Sequence, residues 1–289
     1  MPLELAYPLN ALLMIAIPIS LGFFLKRRFQ LAWGLWWIGA ATFILSQVGH
    51  IPFNAGLTAL FNRGLLPTPP QSWNPVFNAI VLGLSAGLWE ELSRYAVFRW
   101  WARDARTWRK AVWLGAGHGG IEATLLGILV LVNFFYLMAM RNADLTSLVP
   151  ANQLALAQNQ IAAYWSAPWY LILLGALERL FTQPVQICFS VLVVQSFLRK
   201  RSYWVWLAVL WHALVDAAAV YTLQRAGPYV AEAVVGAACL LSLVIIFSLR
   251  SPEPEEEIAP EPLQPSTVER LIANNPIETP EKLDQTRYQ

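Results

Sequence analysis

The chain has 289 residues, 57% of them hydrophobic and only 13% charged. Soluble domains carry about 25% charged residues, so this composition excludes an ordinary water-soluble enzyme. The formal charge of +2 hides a division: the last 38 residues, from Pro252, hold three of the 20 basic and nine of the 18 acidic residues, so a body of net +8 precedes a tail of net −6. Cys188 and Cys239 lie inside apolar runs and imply no disulfide framework. No cleavable signal peptide is expected, because Glu4 stands where a positive charge should be.

A membrane helix needs about 20 mostly apolar residues. In chain order, segments 8–25, 31–50, 75–98, 111–140, 168–198, 203–224 and 228–249 qualify. The stretch 57–66, followed by Pro67, Pro69 and Pro70, reads as interfacial rather than spanning, and Pro184 is expected to kink the fifth span. The polar loop 141–167 suggests a helix over 151–163. From Pro252 the composition becomes acidic and proline-rich, hence a disordered tail over 252–289, with one short helix conceivable at 267–274. The expected fold is therefore an all-α polytopic bundle of about seven transmembrane helices over residues 1–251. No internal repeat is evident.

Basic residues orient such a bundle. Alternate loops carry Lys26, Arg27 and Arg28, then Arg99, Arg103, Arg106, Arg109 and Lys110, then Arg199, Lys200 and Arg201, and finally Arg250. The opposite loops hold only Arg63, Arg141 and Arg225. The N-terminus is therefore expected outside and the C-terminus in the cytoplasm. Trp73, Trp100, Trp101, Trp165, Trp169 and Trp204 fall near span ends, as an interfacial belt would.

Ionisable residues inside the spans are the informative ones, since each costs about 2.5–3.5 kcal/mol at a helix centre. They are Glu90, Glu91 and Arg94 in the third span, His118 and Glu122 in the fourth, Glu178 and Arg179 with Gln186 in the fifth, and His212 and Asp216 in the sixth. Counting a rise of 1.5 Å per residue from the flanking basic residues puts Glu91 and His118 about 12 Å deep, His212 about 16 Å and Gln186 about 20 Å. Four helices thus place polar groups at overlapping depths. Glu90 and Arg94, His118 and Glu122, and His212 and Asp216 are each four apart and share a helix face. Imidazole and carboxylate at that spacing suit half a metal site or an acid/base pair. Glycines on both sides of His118 allow close helix approach or leave room for substrate or water. Taken singly, Glu178-Arg179 reads as a structural pair, Gln186 as an interhelical hydrogen bond, and His50 as an interfacial residue.

Glu90-Glu91-Leu92-Ser93-Arg94-Tyr95, Gly117-His118-Gly119-Gly120-Ile121-Glu122-Ala123, Glu178-Arg179 and His212-Ala213-Leu214-Val215-Asp216 together resemble the YhfC family of intramembrane metalloproteases. That family is similar in turn to the CAAX-protease and bacteriocin-processing superfamily of type II prenyl endopeptidases. The resemblance covers spans two to six and implies a helical membrane bundle with its active site inside the bilayer. It implies that Glu90 or Glu91 with His118 activates a water, that Arg94 orients the glutamates, and that His212 and Asp216 stabilise an oxyanion or help hold a metal. Two departures stand out. The prenyl endopeptidases place three residues between the glutamate pair and the arginine where this chain has two, and Gln186 stands where the YhfC pattern carries a histidine.

Peptide hydrolysis needs an activated water, a polarised carbonyl and a proton for the leaving amine. Zinc on His118, Glu122 and His212 would supply the first two, with Glu90 or Glu91 as base; a desolvated glutamate beside His118 could act without metal. The expected function is an intramembrane endopeptidase acting on a membrane-associated peptide or protein, multi-pass in a bacterial cytoplasmic membrane and without a nucleic-acid partner. The alternatives are a proton-coupled transporter, which the lack of repeats disfavours, and a catalytically idle scaffold or peptide-resistance protein.

Overall fold

The computed structural model describes residues 1–252, and among them all regular structure is helical. The acidic tail and the short helix considered at 267–274 lie outside the described residues. The helices are α1 (Leu3–Phe29), α2 (Trp33–Asn62), α3 (Asn74–Ala96), α4 (Trp108–Met140), α5 (Leu154–Ser166), α6 (Trp169–Ile172), α7 (Leu174–Leu198), α8 (Tyr203–Ala226) and α9 (Pro228–Ser248). Each of the seven apolar segments lies on its own long helix, the fifth on α6 and α7 together. The α1, α4, α6–α7, α8 and α9 segments are long and apolar enough to cross a membrane. In α3 the charges of Glu90, Glu91 and Arg94 dilute the hydropathy. The side chains are sorted for lipid: Glu91, Arg94 and His118 are fully buried, whereas Val48, Leu240 and Val244 are each about two-thirds exposed. The chain is a multi-pass, all-α membrane protein.

One sequence expectation needs correction. The stretch 57–66 is not a separate segment, because α2 runs on through Pro52 to Asn62. It ends in a Schellman arrangement, in which Gly64 (φ +69°) donates to Phe61 O and Leu65 N–H donates to Leu60 O. Proline costs one backbone bond within a helix and does not by itself end it. α7 likewise continues through Pro184, and the fifth apolar segment is interrupted at Leu173, between α6 and α7. There Asn10 of α1 reaches across, and its Oδ1 accepts the Ala176 N–H at 2.8 Å. This caps α7 from another helix with a bond shorter than the 3.1 Å one the same N–H makes to Leu173 O. In the loop, α5 starts three residues later than expected, and Tyr7 stacks on its Tyr164 at a centroid distance of 4.0 Å.

At the centre, α4 packs against α1, α2 and α7, while α3 lies along α8. Small residues make the crossings close. A Cβ on Gly39 would lie 2.0 Å from Leu114 O, and one on Gly117 would lie 2.0 Å from Trp36 O. The backbones of α2 and α4 are therefore in direct contact. On the opposite side of α4, a Cβ on Gly119 would meet the Gln186 side chain of α7 at 2.9 Å. Of the two readings the glycines flanking His118 allowed, close helix approach is the one realised. Tryptophans contribute pins as well as a belt. Trp113 donates to Ala32 O at 2.9 Å and Trp108 to Ile246 O at 2.8 Å, while Trp73, Trp100 and Trp101 stand exposed at helix ends.

Candidate active site within the bundle

The site begins where α3 meets α8. Gly83 and Gly87 let the two backbones approach; a Cβ on Gly87 would lie 2.7 Å from Val209 O. That approach sets Glu91 against His212, whose Nδ1 lies 2.7 Å from Glu91 Oε1. One turn along α3, Arg94 donates to the same Glu91 oxygen and to Gln186 Oε1 of α7, and its Nη2 lies 3.8 Å from Glu90 Oε2. From α4, His118 Nε2 meets Glu90 Oε2 at 3.0 Å. From α2, Gln47 donates to Glu90 Oε1 at 3.3 Å. Aromatic rings flank the site: Phe189 stacks on His212 at 4.3 Å and lies 5.6 Å from the Arg94 guanidinium, and Phe43 stands edge-on to His118 at 5.3 Å.

A second tier is joined through Gln186, whose amide donates to Glu122 Oε2 at 2.7 Å. The other Glu122 oxygen accepts from Arg179 at 2.8 Å, and Arg179 also donates to Glu178. Of the residues expected at the site, Glu90, Glu91, Arg94, His118, His212 and Asp216 therefore form one connected cluster. Glu122 faces α7 instead, with both oxygens engaged there. The set expected to hold a metal, His118, Glu122 and His212, differs from the group that converges. Glu90, Glu91 and His212 offer one ligand atom each, all within 4.8 Å of one another and all buried. His118 and Glu122 share a face of α4, but their tips diverge toward different neighbouring helices.

The protonation pattern of this group follows from its geometry. Glu91 Oε1 accepts from Arg94 and from His212 Nδ1, so His212 Nδ1 carries a hydrogen. His212 Nε2 then faces Asp216 Oδ2 at 3.4 Å and Glu90 Oε2 at 4.0 Å. A bare lone pair there would oppose two carboxylate oxygens. A proton or a cation between them removes that repulsion. The wider network points the same way. Glu90, Glu91, Glu122, Glu178 and Asp216 outnumber Arg94 and Arg179 by three charges when all are ionised, and uncompensated charge is costly at low dielectric. The donor set fits a divalent cation, with Glu91 orienting the histidine through its other ring nitrogen. Glu90, Glu122, Gln186, His212 and Asp216 line a cavity of about 110 Å³, together with aliphatic residues that include Val215 and Val235.

Sequence reasoning passed over several participants. Gln47, His50 and Asn54 lie on one stripe of α2, a spacing visible in the chain. His50, expected at an interface, is half-buried, with its Nε2 3.1 Å from Ser85 Oγ and 2.9 Å from Asn54 Nδ2. Gln183 donates to Gly119 O at 2.8 Å and ties α7 to α4 beside His118.

Comparison with known proteins identifies the family. Residues 13–238 match the family model described as YhfC intramembrane metalloprotease. The chain is 29% identical over 210 residues to the uncharacterized membrane protein YhfC of Bacillus subtilis (strain 168), an alignment covering 71% of this chain and 79% of that protein. A multi-pass position in the bacterial plasma membrane fits this relative. No solved structure matches. With more than half of its length matched and the acids and imidazoles gathered between α3, α4 and α8, the chain belongs to the YhfC intramembrane metalloprotease family.

Proposed function

We propose that this chain is an intramembrane endopeptidase that hydrolyses a peptide bond of a membrane-associated substrate, with zinc as its resident metal. The observation that carries the reading is the meeting of Glu90, Glu91, His118, His212 and Asp216, from three helices, beside one buried cavity. Glu90 is the proton acceptor. It lines the cavity, and its carboxylate is held by Gln47, Arg94 and the Nε2–H of His118. That donation leaves His118 Nδ1 buried and without a partner, a second basic atom within the site. Glu91 is the positioning residue, holding the His212 ring by its Nδ1 hydrogen. His212 Nε2, beside Asp216, is the ring nitrogen left to hold the metal, and Glu90 hands the proton it accepts on to the departing amine. Arg94 limits the repulsion between the two glutamates. Glu90, Glu91 and His212 would hold the zinc, which when bound polarises the scissile carbonyl and lowers the pKa of water to about 7.

Metal content and proteolysis test the two halves separately. Purified protein is expected to carry about one zinc per chain; His212→Ala and Glu91→Gln lose it, whereas Glu122→Gln, whose oxygens are engaged by Arg179 and Gln186, keeps it. Membranes containing the wild type are expected to yield protein N-termini that are absent when Glu90→Gln is expressed to the same level. Undiminished zinc in His212→Ala refutes the ligand set. Identical N-terminal profiles refute the peptidase.

A further inference from the structure

The second half of α2 carries more polar residues than a helix facing only lipid and other helices needs. Gln47, His50, Asn54, Thr58 and Asn62 recur at spacings of three or four, which sets them on one face. Fifteen residues separate the first from the last, so the stripe runs for about 22 Å, most of the hydrocarbon thickness. Exposure rises along it: Gln47, His50 and Asn54 are half-buried, while Thr58 and Asn62 are exposed. The flank beside it has the opposite character, with Leu45, Val48 and Ile51 all apolar and exposed. At its deep end the stripe reaches the acids. Gln47 donates to Glu90 Oε1 at 3.3 Å, and His50 lies within electrostatic reach of Glu90, His212 and Asp216.

These groups do not simply pair off with one another. Asn54 Nδ2 donates to His50 Nε2 at 2.9 Å, but Asn54 Oδ1 is buried and has no hydrogen-bond partner among the described residues. On the other side of the acids, the Asp216 side chain is 40% exposed although it belongs to a membrane-spanning helix. Polar side chains at such depth face a bundle interior or a water-filled space, and a buried amide oxygen left unpaired by protein is a place for water. We propose that water follows the α2 stripe from its Asn62 end to Glu90. What the water does there rests on the peptidase reading. Each bond hydrolysed consumes one water, its hydroxyl going to the carbonyl carbon and its remaining hydrogen to the amine, so a buried glutamate needs a route by which that water is replaced. An acyl chain against the stripe would leave Asn54 Oδ1 unpaired, whereas water can both donate to it and bridge to its neighbours.

The test is thiol labelling of the full-length protein in its membranes, opened so that both faces meet a charged methanethiosulfonate reagent. The wild type, whose Cys188 and Cys239 are buried, gives the blank. The reagent attacks the thiolate, which needs water around it to form, so His50→Cys, Asn54→Cys and Thr58→Cys should react about 100-fold faster than the lipid-facing Leu45→Cys, Val48→Cys and Ile51→Cys. In Gln47→Cys, the deepest position, adding Asn54→Trp to fill the route should abolish labelling, and adding Ile51→Trp on the lipid side should leave it unchanged. If the stripe serves only to cement α2 to α3, its positions will label no faster than the lipid-facing set, and the proposal is overturned. Labelling of Gln47→Cys that Asn54→Trp does not slow overturns it as well. Neither result bears on hydrolysis, which the protein N-termini report separately: a stripe that labels beside unchanged N-termini leaves the water route standing and refutes the peptidase.

Discussion

Alanine at Gly39 would place its Cβ 2.0 Å from Leu114 O, 2.9 Å from Leu114 C and 3.1 Å from His118 N, all of them backbone atoms of α4. Ordinary contact starts at 3.4 Å, so α2 must retreat from α4 by about 1.4 Å at this crossing. No flexible side chain is present to absorb the shift. Overpacking of this kind costs about 1–3 kcal/mol, and contact with backbone on both sides favours the upper end. The retreat also draws Phe43 away from the His118 ring and Gln47 from Glu90, so damage should reach the site. Gly56 is the internal control, because it lies on the same helix with nothing within 4 Å of a Cβ built there. Gly56→Ala gains helix propensity and should stabilise the protein by up to about 1 kcal/mol. Unfolding by sodium dodecyl sulfate titration in mixed micelles measures both. Opposite signs are expected, with Gly117→Ala behaving like Gly39→Ala. If Gly39→Ala matches or exceeds Gly56→Ala in stability, the backbone contact between α2 and α4 is refuted, and with it the explanation of the glycines around His118.

Arg94→Met should destabilise by about 3–5 kcal/mol in the same titration, because it leaves Glu91 buried beside Glu90 without its cation. Adding Glu91→Gln should restore a large part of that loss; additive losses would mean the two residues do not act as a pair. Asn10→Ala removes the cap that α1 supplies to α7 and should cost about 1–2 kcal/mol, with faster amide exchange at Ala176. Unchanged exchange at that amide would show that the cap contributes nothing.

The helices were legible because lipid imposes a length and a composition, and every one of the seven apolar segments lies on a long helix. Their ends were less so. Read from the sequence, the second segment ends at residue 50, before Pro52, yet Pro52 and Pro184 both sit inside helices, which membrane helices tolerate when packed on their neighbours. The true stop of α2 is Gly64, where positive φ is required. At the site, residue spacing indicated which side chains share a helix face. It could not tell which neighbouring helix each tip would reach. His118 and Glu122 illustrate this: both leave α4 on one face, yet one meets Glu90 of α3 and the other Arg179 and Gln186 of α7. Those choices follow from the crossings at Gly39, Gly87, Gly117 and Gly119, which depend on tertiary packing. Gln186, read as a simple interhelical hydrogen bond, turned out to join the two tiers by touching both Arg94 and Glu122.

The cavity beside Glu90 has room for about three water molecules, far less than the 300 Å³ or more of a typical small-ligand pocket. On the peptidase reading, an extended polypeptide therefore reaches the buried Glu90 and His212 only if this space widens. The α4 side offers no slack, being pressed backbone to backbone against α2. Elsewhere the lining includes Val215 and Ala219 of α8 and Val235 of α9, small aliphatic side chains that present no polar contact. On the peptidase reading, a crosslink holding α8 to α9 beside these residues is then expected to block entry without touching any reacting group.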